Sequence, residues 1–340
     1  MNSFLRDRYW HLLCHASELP QPGDFLKLRW LDQDVVVASD QGNLVVFDNL
    51  CPHRGAKFFN TEYGNGPITC RYHGWTHHGG ELHIPCRHKF QDAELAGLSL
   101  STLKIDWCGD FLFASPQPAH SLDEQLGDLF NPLAAISMEI QGRHAWNAYT
   151  YQCDWKLAIE NALDSLHTPF VHKDSLNRLR LSDPVNSYSG ANSVARFQIC
   201  DEAVLKRLKS TARLFAGTER FEGYMSMYLF PFTMLTSTFG YSYSLQHFFP
   251  SDQPQRTHFY SRLLRGSLRA GLPANALDHF FDSSAEINKT VFEEDNAICR
   301  EMEFSRYSIH DVARLSTDEE KIVHFRKTLQ AVQARAAQSA

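Results

Sequence analysis

Two Cys/His pairs constrain this chain more than anything else in it. Cys51-x-His53 and Cys70-x2-His73 stand sixteen residues apart, each beside turn-forming residues: Pro52 and Gly55 at the first, Gly64, Asn65, Gly66 and Pro67 at the second. Two loops, each offering one thiolate and one imidazole, can clamp a metal centre between them. Residues 24–49 around the first pair read as β structure, with DFLKLRWL and DVVVAS followed by NLVVF after an Asp40-Gln41-Gly42 turn. A third match, Cys86-Arg87-His88, has no second pair after it and is set aside. His77 and His78 precede a Gly79-Gly80 hairpin turn and read as exposed and inert. From the residues alone the four-ligand set fits either an iron–sulfur centre or a structural Cys2His2 zinc site.

A second feature is Asp154 to His172, DWKLAIENALDSLHTPFVH. Trp155, Ile159, Ala162 and Leu166 recur at helical spacing and predict one inward apolar face. Asn161, Asp164 and His167 follow at i, i+3 and i+6, so at about 100° per residue they share one polar edge. His172 lies roughly 140° from His167 on a regular helix. Pro169 is expected to break the helix there and let His172 turn back toward His167. Two converging imidazoles are the usual beginning of a metal site, and a carboxylate completes a facial triad on non-haem Fe(II).

The remaining sequence bounds the setting. With 340 residues, 43% hydrophobic and 12% aromatic, the chain has room for two domains with substantial cores. No apolar run approaches the ~18 residues needed to span a bilayer. The opening MNSFLRDRYWHLL carries no separate apolar segment with a small-residue cleavage site, so a cytoplasmic chain is expected, with its eight cysteines as thiols or metal ligands. A net charge of -6 without a basic block argues against a nucleic-acid partner. Pro116 to Pro132 reads as the linker, with a short helix capped by Ser121 and Glu124, which divides the chain at 1–118 and 119–340. The polar stretch after His172, to about Ser193, is a candidate lid or binding loop. Strand-length pieces run from 194 to 265, then comes a late helical region containing FEED. A terminal helix with a Thr317/Glu320 capping box and an Ile322, Phe325, Leu329, Val332 stripe ends the chain.

CPHRG and CRYHGW resemble the two ligand loops of the Rieske [2Fe-2S] domain of ring-hydroxylating and demethylating oxygenases. Asn161-x2-Asp164-x2-His167-x4-His172 and Glu294-Asp295 resemble that family's mononuclear-iron motif, so the resemblance covers nearly the whole chain. It implies an α+β protein: an N-terminal Rieske β-domain followed by a helix-grip catalytic domain built on an antiparallel sheet. It implies that Cys51 and Cys70 hold one cluster iron and His53 and His73 the other, with Trp75 as a shield. It also implies that His167, His172 and Asp295 hold Fe(II), Glu294 being the alternative to Asp295. Asp164 is expected to bridge His167 to His73 of a neighbouring subunit in a homotrimer or stacked trimers. Asn161 orients ligands or touches substrate at the open side of the iron.

The expected function is a terminal oxygenase component using O2, with electrons from a separate ferredoxin or NAD(P)H-dependent flavin reductase, because the chain has no GxGxxG signature of its own. Monooxygenation or oxidative demethylation of a small aromatic or apolar compound is the leading expectation. A cis-dihydroxylating ring dioxygenase is the alternative, and an electron carrier or a non-catalytic binding module the remote ones. Tyr224, Met227, Phe230, Phe232 and His247 are the expected pocket residues.

Overall fold

The computed structural model describes residues 1–31, 33–217, 221–273, 275–303, 307–311 and 314–338. Alternating apolar runs and Gly-rich turns make the first third of the chain β structure. Strands Asn43–Asp48, Gln33–Asp40, Asp24–Trp30 and Tyr63–Asn65 form a four-stranded antiparallel sheet in that order. A smaller sheet of Ile68–Thr69, Thr76–His78 and Glu81–His83 carries the second Cys/His loop. His11–His15, Phe111–Ser115 and Lys104–Cys108 make a third sheet, so the strand ending at Ser115 returns to pair with the start of the chain. Within Thr76–His78 the alternation turns His77 inward, against expectation. It is buried, with Nδ1 3.4 Å from Asp40 Oδ2, while His78 is exposed as expected.

The rest of the chain is built on a seven-stranded antiparallel sheet. Val185–Ser189, Asn192–Phe197, Tyr224–Leu229, Thr233–Thr238, Ser242–Pro250 and Thr257–Gly266 run as a meander, and Ile140–Tyr151 adds itself beside the last of them. One of these strands, Val185–Ser189, falls before the 194–265 region expected from pattern, in the polar stretch read as a loop; it is largely polar. Across the sheet lie the helices Trp155–Leu163, Asp278–Glu301 and Glu320–Gln338.

Asp154 caps the first of these helices by accepting the Lys156 N–H at 3.0 Å. Arg326 of the last helix grips Glu160 at 2.7 Å through both Nε and Nη2, a two-pronged contact that fixes the helix that carries Asn161. Ile322, Phe325, Leu329 and Val332 are all buried, each contributing about 1.5–3 kcal/mol by area. The cap of that helix lies one residue earlier than expected. Ser316 and Glu319 form the capping box in place of Thr317 and Glu320, while the Ser121/Glu124 box is where expected.

The two halves share a core. Leu26, Leu28 and Trp30 of the first sheet belong to one buried cluster with Phe249, Phe259 and Trp155. The Arg29 N–H donates to Tyr260 Oη at 2.9 Å, and Trp146 Nε1 donates to Glu62 at 2.7 Å. Among the described residues no helix is long and apolar enough to cross a membrane.

Candidate active site and metal centres

The two Cys/His loops have matching backbones. The Cys51 N–H donates to the Ala56 carbonyl at 2.8 Å and the Gly55 N–H to the Cys51 carbonyl at 2.9 Å. In the second loop Cys70 pairs with Trp75 and Gly74 with Cys70 at the same distances. The closing residue of each turn needs a left-handed backbone, and Gly55 and Gly74 supply it with φ of 71° and 72°. Identical brackets thus present Cys51 with His53 and Cys70 with His73 to one another. Both thiols are buried, and the imidazole centroids of His53 and His73 are 4.7 Å apart. Trp75 stacks on His53 at 4.5 Å with the planes 5° apart.

The donor set fits a metal cluster. His53 Nδ1 is buried with no hydrogen-bond partner, a costly arrangement unless a metal takes its lone pair. Burial, then the neighbouring His73, hold the His53 imidazole below its ordinary pKa and therefore neutral, the form that ligates. Cys51 lies against Cys70, and burial followed by that second thiol raises its pKa, which a bound iron reverses. Cys86, by contrast, is exposed.

The second cluster forms where a helix stops. The 155–163 helix ends at Asp164, whose backbone is extended, and a new short helix spans Thr168–Val171. The break therefore precedes Pro169, which sits in the first turn of the new helix, where its missing N–H costs nothing. Asp164 Oδ1 accepts the Leu166 N–H at 2.7 Å and turns the chain; Oδ2 lies 3.3 Å from His167 Nδ1. His172 follows at the end of the short helix, buried, with Nδ1 2.7 Å from Glu294 Oε2. Ser175 Oγ donates to the same oxygen at 2.6 Å.

With both Nδ1 atoms engaged, the two Nε2 atoms face each other at 3.0 Å. Asp295 Oδ1 stands 3.1 Å from His172 Nε2 and 3.5 Å from His167 Nε2. One ligand atom from each of the three lies within 4.8 Å of the others, a facial set with the fourth side open. Asn161 Nδ2 donates to Asp295 Oδ1 at 2.7 Å. Burial pushes the His167 imidazole down, but Asp164 and Asp295 outweigh it and lift its pKa to about 9. His172 moves the same way, with burial opposed by Asp295 and Glu294. Burial raises Asp295 less than the two imidazoles lower it, so it stays ionised.

The three side chains open onto a cavity of about 340 Å³. Its far wall is the sheet face bearing Phe197, Tyr224, Ser226, Met234, Thr236 and Gln246, and residues 176–186 close one side, as expected for a binding loop. Of the expected pocket residues only Tyr224 lines it. Met227 and His247 have the opposite strand parity and point to the other face, His247 onto the Leu12 carbonyl at 2.7 Å. Phe230 and Phe232 lie in the turn after Leu229, within the shared core.

The Rieske [2Fe-2S] domain model matches residues 9–96, and the catalytic-domain model of the ring-hydroxylating alpha subunit matches residues 138–334. The second match alone spans more than half of the chain. The chain belongs to the Rieske ring-hydroxylating oxygenase family. The family's cofactors are a [2Fe-2S] cluster and a mononuclear iron, and the fold is the expected one, a Rieske domain followed by a sheet-and-helix catalytic domain.

Among curated relatives, the glycine betaine monooxygenase oxygenase subunit of Chromohalobacter salexigens is 30% identical over 232 residues, which is 64% of this chain and 52% of that protein. The anthranilate 1,2-dioxygenase large subunit of Acinetobacter baylyi is 29% identical over 196 residues, 54% of this chain and 42% of that one. The chain spans about half the length of these relatives. A solved quaternary ammonium Rieske monooxygenase, described for carnitine oxidation and inter-subunit electron transfer, superposes with a TM-score of 0.71 at 20% identity, covering 96% of this chain and 88% of that one.

Within this Rieske oxygenase, the structure brings His167, His172 and Asp295 together with Asn161 and Asp164 beside them, and sets His53 beside His73 with Cys51 and Cys70 buried. Sequence reasoning missed the roles of Glu294 and Ser175. Glu294 was legible as the alternative to Asp295 but not as the partner of His172 Nδ1, and Ser175 carried no signal, because its contact depends on the turn after His172.

Proposed function

We propose that this chain is the terminal oxygenase component of a Rieske monooxygenase, with His167, His172 and Asp295 as the iron ligands and Cys51, His53, Cys70 and His73 as the cluster ligands. The observation that carries the reading is the open His/His/Asp face turned toward a cavity large enough for a small organic molecule. When bound, the cluster supplies single-electron storage and the iron the open positions at which O2 is reduced. Asp164 and Glu294 hold the Nδ1 protons of His167 and His172, which fixes the tautomer and aims each Nε2 at the shared point. Asn161 steadies Asp295 by donating to the same Oδ1 that faces the two imidazoles. The apolar wall of Phe197, Met234, Val291 and Phe292 excludes water and holds the body of the substrate.

Electrons come from a separate ferredoxin or NAD(P)H-dependent reductase. The assembly is a head-to-tail homotrimer. Its support is a pair of exposed patches: Leu50 and Tyr72, 48% and 58% exposed, beside His73, and Leu166 and Phe170, 40% and 75% exposed, beside Asp164. Joining them would carry Asp164 to His73 of a neighbouring copy. We place the domain division at 118/119, after the strand Phe111–Ser115 has paired with both of its neighbours. The cytoplasm is the setting, supported by eight free cysteines.

The test is turnover of aromatic and N- or O-methyl compounds under 18O2 with a surrogate reductase. A monooxygenase places one labelled atom in the product or in released formaldehyde and the other in water. A cis-diol carrying both atoms overturns the monooxygenase reading and supports the dioxygenase one.

A further inference from the structure

Lys321 is the second residue of the last helix and the position just before the Ile322 stripe. It is 4% exposed and lines the same cavity as His167, His172 and Asp295. Its Nζ makes one hydrogen bond, to the Ser226 carbonyl at 3.2 Å. An ammonium carries three donors, so two remain for whatever enters the cavity. No described carboxylate pairs with it, and its perturbation has a single cause. Burial alone pushes its pKa down to about 7. A buried amine without a counter-charge gives up its proton readily, and an anionic group entering the cavity would restore the charge and pair with it. The acids of the lining, Asp164, Asp183, Asp295 and Asp318, make no ion pair with it.

The rest of the lining says what kind of anion. Phe197, Met234, Val291, Phe292 and Leu176 offer an apolar surround, and no arginine joins Lys321 in the cavity. One cation balances one negative charge, and a dianionic phosphate would leave a charge uncompensated. Resting on the oxygenase reading above, we propose that the substrate is a monocarboxylate with an apolar or aromatic body, its carboxylate held by Lys321 and its body held between the iron face and the sheet. This refines the expectation of a merely aromatic or apolar compound. Lys321 is then a specificity-determining residue.

The experiment is equilibrium binding to the full-length, iron-loaded protein, with benzoate, 4-methoxybenzoate and 3-phenylpropanoate each compared with its uncharged amide. Wild type should prefer the carboxylates by about tenfold to a hundredfold, the range of a charge-assisted bond. Lys321→Met and Lys321→Gln should erase that preference while leaving amide binding within about threefold, the two side chains guarding against loss of the fold in either one. Equal binding of acids and amides by wild type overturns the proposal. A preference that survives both substitutions, or no binding by any compound at millimolar concentration, overturns it as well. Because binding is read without turnover, the proposal fails independently of the oxygenase reading, which the 18O2 experiment and iron content judge.

Discussion

At the scale of single residues, the two metal centres separate cleanly. Cys51→Ser removes a proposed cluster donor that is buried against Cys70, whereas Cys86 is exposed on another turn. Purified wild type should be brown and give the low-average-g EPR signal of a Rieske centre when reduced. Cys51→Ser should lose that signal and Cys86→Ser keep it. His167→Ala should keep the signal and abolish turnover; loss of the signal would show that the two sites are wrongly divided.

Glu294 gives a sharper residue-level prediction, since its carboxylate holds His172 Nδ1 and reaches iron only through it. Glu294→Gln should weaken Fe(II) binding by about tenfold to a hundredfold, as other partners of ligand histidines do. Asp295→Ala should abolish binding. Equal effects in equilibrium iron titrations would make Glu294 a ligand in its own right.

The paired carboxylates also set a pH dependence. His167 has a folded pKa of about 9, above its unfolded value, so in the iron-free protein its charge stabilises the fold fully below about pH 6.5. That contribution is lost as pH rises through 9. Iron must displace this proton, so Fe(II) affinity should climb with pH between about 6.5 and 9 while the melting temperature of iron-free protein falls. A melting temperature that rises over that interval would contradict the assignment of the charged imidazole.

At the scale of elements, the site depends on where helices begin and end. The 155–163 helix stops at Asp164 because the carboxylate captures the Leu166 N–H, and this turn aims His167 back over the sheet. The apolar face was legible from Trp155 and Ile159, but the stop was not. Asp inside a helical pattern is ambiguous until its side chain has a partner, and Pro169 offered a more obvious break. The last helix shows the same ambiguity. Ser316 and Thr317 stand side by side, each with a glutamate three residues on, and only the approach of the chain decides between them. Ser316→Ala should cost about 1 kcal/mol by thermal unfolding and Thr317→Ala little. The reverse order would move the cap. The Ser316 box sets the rotation that turns Lys321 into the cavity while Ile322 and Phe325 face the core.

At the scale of the whole molecule, one buried cluster joins the first sheet to the seven-stranded sheet and its helices, while Cys51, Cys70 and Trp75 pack into a second cluster on the other face of the first sheet, with Phe25 and Val36. In the proposed trimer, Asp164 completes the path to His73 of a neighbouring copy. Asp164→Asn should keep both metals, keep the oligomeric state by light scattering, and turn over very slowly. Near-normal single-turnover electron transfer in that variant would remove Asp164 from the path between copies.

What the sequence by itself determined was the ligand chemistry. Cys51, His53, Cys70, His73, His167 and His172 could be picked out as candidate ligands because a metal demands particular side chains at short spacings, and short spacings survive as text. Strand and helix types followed for the same reason, since periods of 2 and 3.6 are local. Tertiary structure decided what local spacing cannot encode. It set Asp295 against the two Nε2 atoms and Glu294 against His172 Nδ1, because helix rotation is set by packing against the sheet. It chose which parity of each strand faces the cavity, which left Met227 and His247 outside it. It also brought Lys321, more than 140 residues after His167 and His172, into their pocket, a juxtaposition that depends on how the last helix packs and not on local spacing.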